Sequence, residues 1–245
     1  MITGVGPDSG MGHGFAEAFA KEGSDLVLNY FGQDTEKMEI FAEHLRKETG
    51  RKVMLFEGDV SDEATVISMV NETVRNFKKV DVLINAAGIS HQALLKDMKL
   101  SDWNRTMQVD LTSVFLTCRY VVPVMLERGF GRIINVASQV GHKGAAECCH
   151  YAAAKSGIHG FTKSLARELG EYGITVNCIS PGPIKTRMLT GTNEAWVKRK
   201  KAELVIPRFG EVEEVVPTAI LLAAVPDGNI YTGQSLGPNC GDVML

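Results

Sequence analysis

Hydrophobic residues follow two alternating patterns, short continuous runs and longer stretches in which apolar positions recur every three or four residues. Continuous runs are typical of strands that are buried on both faces of a parallel sheet. They occupy residues 25–31, 52–56, 80–85, 132–136 and 174–179. The spaced pattern predicts helices, which cover residues 14–22, 34–48, 101–128, 151–172 and 211–224, with another that begins at Ser61 or Asp62. This order predicts an α/β fold, a single doubly wound parallel sheet (Rossmann-like) with helices on both faces.

One stretch interrupts the alternation, residues 185–207. Long excursions in compact domains are often binding loops, although residues 194–203 could instead form a surface helix. Pro123 falls inside the helix predicted over residues 101–128 and predicts a bend there. No linker or shift in composition divides the chain, so residues 1–245 are predicted to form one domain.

The composition excludes several classes of protein. Of the 245 residues, 44% are hydrophobic and 22% are charged, close to the globular average. A net charge of −3 gives no electrostatic attraction to nucleic acid. No apolar run reaches about 18 residues and no secretory signal is found, so no membrane partner is predicted. The five cysteines lack zinc-like spacing, which predicts reduced thiols in a cytoplasmic protein and no metal site. The adjacent pair Cys148 and Cys149 leaves redox sensing open.

Glycine is present in excess, and five of the 25 glycines lie within residues 4–14. A glycine-rich turn between a strand and a helix exposes backbone N–H groups that can bind a pyrophosphate. The spacing G-x-G-x-x-G is absent, and a flexible loop is the alternative. Asp59 follows a predicted strand, where its carboxylate could accept a hydrogen bond from an adenine or cap the next helix. The small residues 86–88, which follow Asn85, would let a nucleotide cofactor approach the backbone.

Three further residues indicate chemistry on a carbonyl group. Tyr151 and Lys155 are four residues apart on a predicted helix, and Ser138 follows the end of a predicted strand. A lysine ammonium beside a phenol favours the phenolate, which is expected to lower the pKa of Tyr151 so that it can exchange a proton. A serine hydroxyl can donate to a carbonyl oxygen as negative charge develops. The set predicts interconversion of a ketone and a secondary alcohol with a nicotinamide cofactor. The alternative interpretation is that Tyr151 and Lys155 are ordinary helix residues.

Together these motifs resemble those of the short-chain dehydrogenase/reductase family over essentially the whole chain, and most closely its 3-oxoacyl-carrier-protein reductases and glucose-dehydrogenase-like members. The resemblance implies that Tyr151 is the general acid/base, that Lys155 holds the nicotinamide ribose and that Ser138 orients the substrate. It also implies a homotetramer and a substrate-binding loop over about residues 185–207. The implied cofactor-binding residues are Gly4, Ser9, Gly10, Met11, Gly12, Tyr30, Phe31, Asp59, Val60, Asn85, Ala86, Ala87, Gly88, Tyr151, Lys155, Pro181, Gly182, Ile184 and Thr186.

The chain departs from the family's pattern at three places. Five residues separate Gly4 from Gly10, where the usual pattern has three. Asp110 stands where the family has a catalytic asparagine that holds a water for proton relay. We therefore include Asp110 in the catalytic set and expect its charge to alter the pKa of Lys155. Residues 233–239 replace a more usual apolar-Asp-Gly-Gly ending. These departures motivate the alternative function, a catalytically degenerate member that binds nucleotide as a sensor or scaffold.

Cofactor and substrate are less constrained by the sequence. Residues 29–31 (Asn-Tyr-Phe) contain neither an acidic residue for the ribose of NAD nor an arginine for the 2′-phosphate of NADP. The Asn-Tyr ending resembles NADP-using relatives and favours NADP over NAD, although Ser9 replaces a residue that is often basic in such relatives. The predicted substrate is a small carbonyl or alcohol compound, with a 3-oxoacyl thioester as one candidate. Its predicted contacts are Ser138, Gln139, Cys148, Tyr151 and Leu189.

Overall fold

The computed structural model describes residues 1–186 and 193–244. Its strands are β1 (Leu26–Tyr30), β2 (Val53–Glu57), β3 (Val82–Asn85), β4 (Gly131–Val136), β5 (Ile174–Ile179) and β6 (Ser235–Leu236). Its α-helices are α1 (Met11–Lys21), α2 (Thr35–Thr49), α3 (Glu63–Phe77), α4 (Leu100–Met107), α5 (Ser113–Leu126), α6 (Val140–Lys143), α7 (Cys149–Leu169), α8 (Glu194–Glu203) and α9 (Val212–Ala223). The predicted α/β fold is confirmed, and all five strands predicted from continuous apolar runs form.

The first residues of the chain join the two halves of the sheet. β1 pairs with β2, while β3, β4, β5 and β6 pair in that order, and every pairing is parallel. Ile2 lies between the two sets, because it bridges Leu28 of β1 on one side and Ile84 of β3 on the other. The Thr3 amide extends this ladder by donating to the Ile84 carbonyl at 3.0 Å. The strand order therefore reverses at this segment, and ligands of open α/β sheets bind at such a switch point.

Consecutive strand residues face opposite layers of helices. Leu83 and Ile133 pack with residues of α3, α5 and α7, whereas their neighbours Ile84 and Ile134 pack with residues of α1, α2 and α9. Full burial of each such side chain stabilises the fold by roughly 1.5–3 kcal/mol. Because both faces are covered, the strands are apolar at nearly every position, which is why the sequence pattern located them.

Aspartates cap two of the helices at the carboxyl edge of the sheet. Asp34 accepts from two backbone amides at the start of α2. Asp62 accepts from the Thr65 amide at 2.8 Å at the start of α3. Asp62 rather than Ser61 is therefore the N-cap of α3, and such a cap contributes about 1 kcal/mol.

The helix predicted over residues 101–128 is interrupted away from Pro123, and the bend predicted at Pro123 stays a prediction. Pro123 lies within α5, and the interruption is a π-helical turn, Gln108–Thr112, which contains Asp110. π-helical turns are rare and often occur at functional sites. By length and composition the run Leu100–Leu126 could cross a membrane, but half of its most apolar window is buried inside the protein. Most apolar residues of α5 pack in the core, whereas Phe115 and Leu126 are exposed.

The turn after Ile2 is fastened to the end of β3. The Thr3 hydroxyl accepts from the Ala86 and Ala87 amides at 3.1 and 3.2 Å. Gly4 has a φ of +69°, and a Cβ at this position would lie 2.5 Å from Ala87 Cα. Glycine is therefore required at position 4 both by the backbone conformation and by the close approach of the two segments.

We expect Gly4→Ala to destabilise the protein more than Gly50→Ala. The two glycines have φ angles of +69° and +68°, but a Cβ at Gly50 would meet no atom within 4 Å. Gly50→Ala carries only the conformational cost, about 1–2 kcal/mol. Gly4→Ala adds a clash with backbone, which costs about 1–3 kcal/mol more. Urea unfolding measures both losses, and equal losses would contradict the close-packing explanation.

Candidate active site

The structure brings Ser138, Tyr151 and Lys155 together at the carboxyl end of β4. Ser138 lies just beyond β4, and the other two lie in the first turns of α7. Lys155 Nζ donates to the Val136 carbonyl at 3.0 Å and lies 5.5 Å from the centroid of the Tyr151 ring. Ser138 lies near enough to the Tyr151 hydroxyl to lower the pKa of that tyrosine, and its Oγ accepts from the Val140 amide at 3.2 Å. The side chains of Ser138, Tyr151 and Lys155 thus form one cluster.

A buried carboxylate pairs with the lysine of this cluster. Asp110 Oδ2 lies 3.3 Å from Lys155 Nζ, and the side chains of the pair are 0% and 5% exposed. The other oxygen, Oδ1, accepts from the Ile89 amide at 2.8 Å. A Cβ at Gly88 would lie 3.2 Å from Asp110 Oδ2 and 3.3 Å from Lys155 Nζ, so this glycine borders the ion pair. Removing one partner of such a pair leaves an uncompensated buried charge, which costs about 3–5 kcal/mol.

Asp110 shifts the pKa of Lys155, as the sequence predicted. Burial lowers the pKa of Lys155, but Asp110 and Tyr151 both raise it, and the net pKa lies above its usual value. Burial also raises the pKa of Asp110, although Lys155 lowers it in part. Lys155 is therefore a firmly held cation at neutral pH.

The expectation that Lys155 leaves Tyr151 with a lowered pKa is wrong, because the sum of all influences raises that pKa. Lys155 and Ser138 do lower it, but burial raises it more strongly and Asp110 raises it too. The pKa of Tyr151 consequently lies above its usual value, because the sequence pattern did not include the cost of burying a phenolate. Tyr151 keeps its proton at neutral pH, which suits donation to an oxygen that is gaining negative charge.

The glycine-rich turn has room for a phosphate at Gly10, and we call this position the phosphate cradle. Gly10 precedes α1 with a φ of +103°, and a Cβ there would meet no atom within 4 Å. By contrast, a Cβ at Gly12 would lie 2.5 Å from the Gly4 carbonyl oxygen. Gly4 and Gly12 therefore hold the turn close to the strand and helix, while Gly10 leaves open space at a helix N-terminus. Such a terminus attracts phosphate, so the residues here fit a dinucleotide cofactor.

Four more residues predicted to bind cofactor lie near this cradle and at the end of β1. Met11 begins α1 and packs against the core, and the Ser9 hydroxyl lies 3.5 Å from Asp8 Oδ1. Tyr30 is buried, whereas Phe31 is 56% exposed. Phe31 is the member of this pair that could contact a bound nucleotide without rearrangement.

Asp59 is already engaged within the protein. One of its oxygens accepts from the Ser61 amide and hydroxyl, and the other pairs with Arg105 at 2.8 Å. Val60 is buried in the core. Since Asp62 caps α3, the alternative helix-capping role of Asp59 is not found. An adenine that binds here would have to share the Asp59 carboxylate with Arg105.

Asn85 takes part in a chain of buried hydrogen bonds. Its Oδ1 accepts from the Thr117 hydroxyl at 2.7 Å, and its Nδ2 donates to Asn135 Oδ1 at 2.9 Å. Asn135 Nδ2 donates in turn to the Thr162 hydroxyl at 3.0 Å. This chain links β3, β4, α5 and α7. Because its side-chain amide is already hydrogen-bonded to Asn135 and Thr117, Asn85 can line a cofactor only through its backbone.

The four predicted cofactor residues beyond β5 are held mainly by backbone contacts. The Pro181 carbonyl accepts from the Gln139 amide at 3.1 Å, and a Cβ at Gly182 would lie 2.6 Å from Asn239 Cα. Ile184 is buried and bridges Gly210, and the Thr186 hydroxyl lies 3.5 Å from the Ile184 carbonyl. This segment leaves β5 at the same edge of the sheet as Ser138.

Two of the predicted substrate contacts border the catalytic cluster. Gln139 is buried directly after Ser138, and its side-chain oxygen lacks a hydrogen-bond partner. Cys148 is also buried and precedes α7. Leu189 lies outside the described residues. Across residues 1–186 and 193–244, no group of three or more His, Cys, Asp or Glu side chains could hold a metal ion.

Sequence reasoning missed His150, which is buried immediately before Tyr151 and contacts His91. Its position next to Tyr151, a predicted catalytic residue, was a usable signal. The contact itself was not, because its partner lies 59 positions earlier in the chain.

Comparison with known proteins identifies the family of the chain. A family model described as enoyl-(acyl carrier protein) reductase matches residues 4–241. The chain belongs to the short-chain dehydrogenase/reductase family. A 3-oxoacyl-(acyl-carrier-protein) reductase from Synechocystis sp. is 36% identical over 245 residues, which cover 100% of this chain and 96% of the relative. A protein of the same description from Chlamydia trachomatis is 35% identical over 238 residues, with coverages of 97% and 94%.

A third relative, the 3-oxoacyl-(acyl-carrier-protein) reductase FabG of Staphylococcus aureus, is 34% identical over 244 residues, with coverages of 100% and 97%. The predicted family and enzyme class are therefore confirmed: this short-chain dehydrogenase/reductase is an NAD(P)-dependent oxidoreductase. The alternative of a sensor or scaffold is not favoured.

We expect Asp110→Asn to lower the pKa of Tyr151, because the carboxylate raises it. With Tyr151 in the general acid/base role that the family resemblance implies, alcohol oxidation requires deprotonated Tyr151, so kcat/KM for oxidation is expected to rise as pH passes through that pKa. In Asp110→Asn this rise should move to lower pH, by about one unit. The measurement is the pH profile of kcat/KM. Asp97→Asn removes an exposed carboxylate and is the control, and an unmoved midpoint in Asp110→Asn would contradict the electrostatic assignment.

Proposed function

We propose that the protein reduces the 3-oxo group of an acyl thioester to a hydroxyl group, with NADP as the preferred cofactor. The observation that carries this proposal is the cluster of Ser138 and Tyr151 beside the buried Lys155 at the carboxyl end of β4. Two neighbouring hydroxyl donors suit a single carbonyl oxygen. Three relatives that match nearly the full chain are described as 3-oxoacyl reductases, which supports this substrate class.

Each residue of the cluster has one role in this reaction. The nicotinamide cofactor, when bound, supplies the hydride that adds to the carbonyl carbon. Ser138 donates a hydrogen bond to the carbonyl oxygen and stabilises the charge that develops there. Tyr151, which keeps its proton at neutral pH, delivers that proton to the same oxygen. The Lys155 ammonium stabilises the remaining phenolate, and Asp110 keeps Lys155 charged and in place.

Gly10 and the start of α1 would hold the pyrophosphate in this proposal. Gly88, Pro181, Gly182, Ile184 and Thr186 would line the nicotinamide end. The preference for NADP is supported by residues 29–31, which contain no carboxylate that would repel a 2′-phosphate.

The substrate-binding segment is proposed to be residues 185–207 of a single domain that spans residues 1–245. Lys200 of α8, which lies in this segment, pairs with the buried Asp242 at 2.7 Å. The same carboxylate binds Lys143 of α6 at 2.5 Å. Because α6 follows Ser138 and Gln139 closely, these ion pairs hold α8 beside the catalytic cluster. Gln139, Cys148 and Leu189 are the proposed contacts for the acyl part of the substrate.

A cytoplasmic location and a homotetramer complete the proposal. All five cysteines are free thiols, which suits a reducing compartment. The tetramer rests on the family resemblance alone, and native mass spectrometry measures it directly.

We expect Tyr151→Phe to lower kcat for reduction of a 3-oxoacyl thioester by at least about 10²-fold, because the proton donor is removed. Cofactor affinity should stay near the wild-type value. Loss of NADPH absorbance measures turnover with a 3-oxoacyl thioester, an enoyl thioester, a simple ketone and a sugar. Tyr172→Phe changes a tyrosine that is half exposed and serves as the control. Turnover of the enoyl thioester alone would sink the proposal, and turnover of none would favour the scaffold alternative.

Thermal unfolding tests the cofactor preference. A ligand stabilises the folded state by RT ln(1 + [L]/Kd). NADP should therefore raise Tm more than NAD does at equal concentrations. A larger increase with NAD would reverse the assignment.

A further inference from the structure

A buried lysine anchors α8, the helix of the proposed substrate-binding segment. Of the ten residues of α8, only Lys200 is buried. Lysine is rarely buried unless its ammonium is paired, and Lys200 Nζ lies 2.7 Å from Asp242 Oδ1. The position of α8 therefore depends on this ion pair more than on an apolar face.

The carboxylate that binds Lys200 is shared with α6. Lys143 Nζ lies 2.5 Å from the same Oδ1 atom, and the Asp242 side chain is 1% exposed. Burial lowers the pKa of Lys200, but Asp242 and Glu203 raise it, and the net pKa lies above its usual value, so Lys200 is a cation at neutral pH. Two ammoniums that bind one oxygen stand close together, and the carboxylate between them offsets their repulsion.

The backbone on both sides of Asp242 is fixed to the rest of the site. The Gly182 amide, at the proposed nicotinamide end, donates to the Pro238 carbonyl at 3.2 Å. The Ile206 amide, beyond the end of α8, donates to the Cys240 carbonyl at 3.0 Å. The C-terminal segment is therefore held in place by its backbone, while the Asp242 side chain connects it to both α6 and α8.

We propose that Asp242 is a positioning residue for the substrate, because its ion pairs with Lys143 and Lys200 hold α8 against α6, which begins two residues after Ser138. The proposal rests on the reduction and the substrate-binding segment proposed above. Asp242 touches neither substrate nor cofactor in this role. It therefore sets how tightly the acyl part of the substrate is held, and leaves the transfer of hydride and proton to the catalytic cluster.

Asp242→Asn tests this role, since asparagine keeps the shape of the side chain but leaves two ammoniums without their counter-charge. We expect KM for a 3-oxoacyl thioester to rise at least about fivefold and kcat to stay within about twofold, because α8 is displaced and the reacting hydroxyls are not. Affinity for NADP should stay at the wild-type value. Asp81→Asn breaks an exposed ion pair with Lys79 at 2.6 Å and is the matched control.

Trypsin reports on the position of α8 without any need for turnover. It cleaves after lysine and arginine, and α8 carries the exposed residues Lys198 and Arg199. Cleavage within a folded helix follows the population of its opened form, so cleavage after these two residues should be at least about fivefold faster in Asp242→Asn. Asp81→Asn should be cleaved at the wild-type rate.

Lys143→Met, added to Asp242→Asn, separates the effect of charge from that of local structure. It removes one of the two facing ammoniums and leaves the trypsin sites of α8 intact. Because the repulsion is then gone, KM and the cleavage rate should both move back toward wild-type values. If Asp242 served only the local structure of the C-terminal segment, removing Lys143 would restore neither quantity, and that result would overturn the proposal.

Lys200→Gln is a second test that keeps Asp242 paired with Lys143, so it decides the question even where Asp242→Asn does not fold. KM should rise and cleavage after Lys198 should become faster, because α8 has lost its anchor. Wild-type KM and cleavage in Lys200→Gln, or in folded Asp242→Asn, would contradict the positioning role. If the wild-type protein reduces no 3-oxoacyl thioester, the proposed function itself fails, while the cleavage rates still decide whether Asp242 holds α8.

Discussion

The parallel pairing of Ile2 with strands on both sides is the interaction on which the site depends. β1 and β3 share no ladder of their own, so Ile2 supplies the connection between the two halves of the sheet. The same segment continues into Thr3 and Gly4, which dock on the backbone at the end of β3. The turn that leads to the phosphate cradle is therefore fixed against the strand whose next loop binds Asp110. The segment after β3 therefore holds both the proposed phosphate-binding turn, through Thr3, and Asp110, through the Ile89 amide.

Burial and charge oppose each other at the centre of the site. Burial alone would favour a neutral lysine, but the carboxylate of Asp110 keeps Lys155 a cation. The same carboxylate makes the phenolate of Tyr151 less favourable. An asparagine, the more usual residue of the family here, would do neither, because it carries no charge. The aspartate therefore gives a more firmly held ammonium and a tyrosine that keeps its proton, a combination that suits reduction.

Sequence reasoning predicted the structural features that local patterns determine. It missed the features that depend on contacts between segments distant in the chain. Apolar runs located the strands because both faces of the sheet are covered. Motif spacing likewise identified Ser138, Tyr151 and Lys155, because strand ends and helical faces follow from periodicity. The π-helical turn at Gln108–Thr112 has no such local signature. The hydrogen bonds of Asn85 with Asn135 and Thr117 and the raised pKa of Tyr151 depend on neighbours brought in by folding, so periodicity could not predict either of them.

The chain of buried hydrogen bonds that includes Asn85, Asn135 and Thr162 sets how the hydroxyls of Ser138 and Tyr151, the two proposed catalytic hydroxyls, align. Asn135 lies three residues before Ser138 on the β4 side, and Thr162 lies eleven residues after Tyr151 on α7, a distance of about 16 Å along the helix. The hydrogen bond between Asn135 and Thr162 fixes how far α7 can slide along β4. Ser138 and Tyr151 move with these two elements, so their alignment is set deep in the core, where no substrate reaches. The lining of the pocket can therefore vary with the substrate while the reacting geometry stays constant.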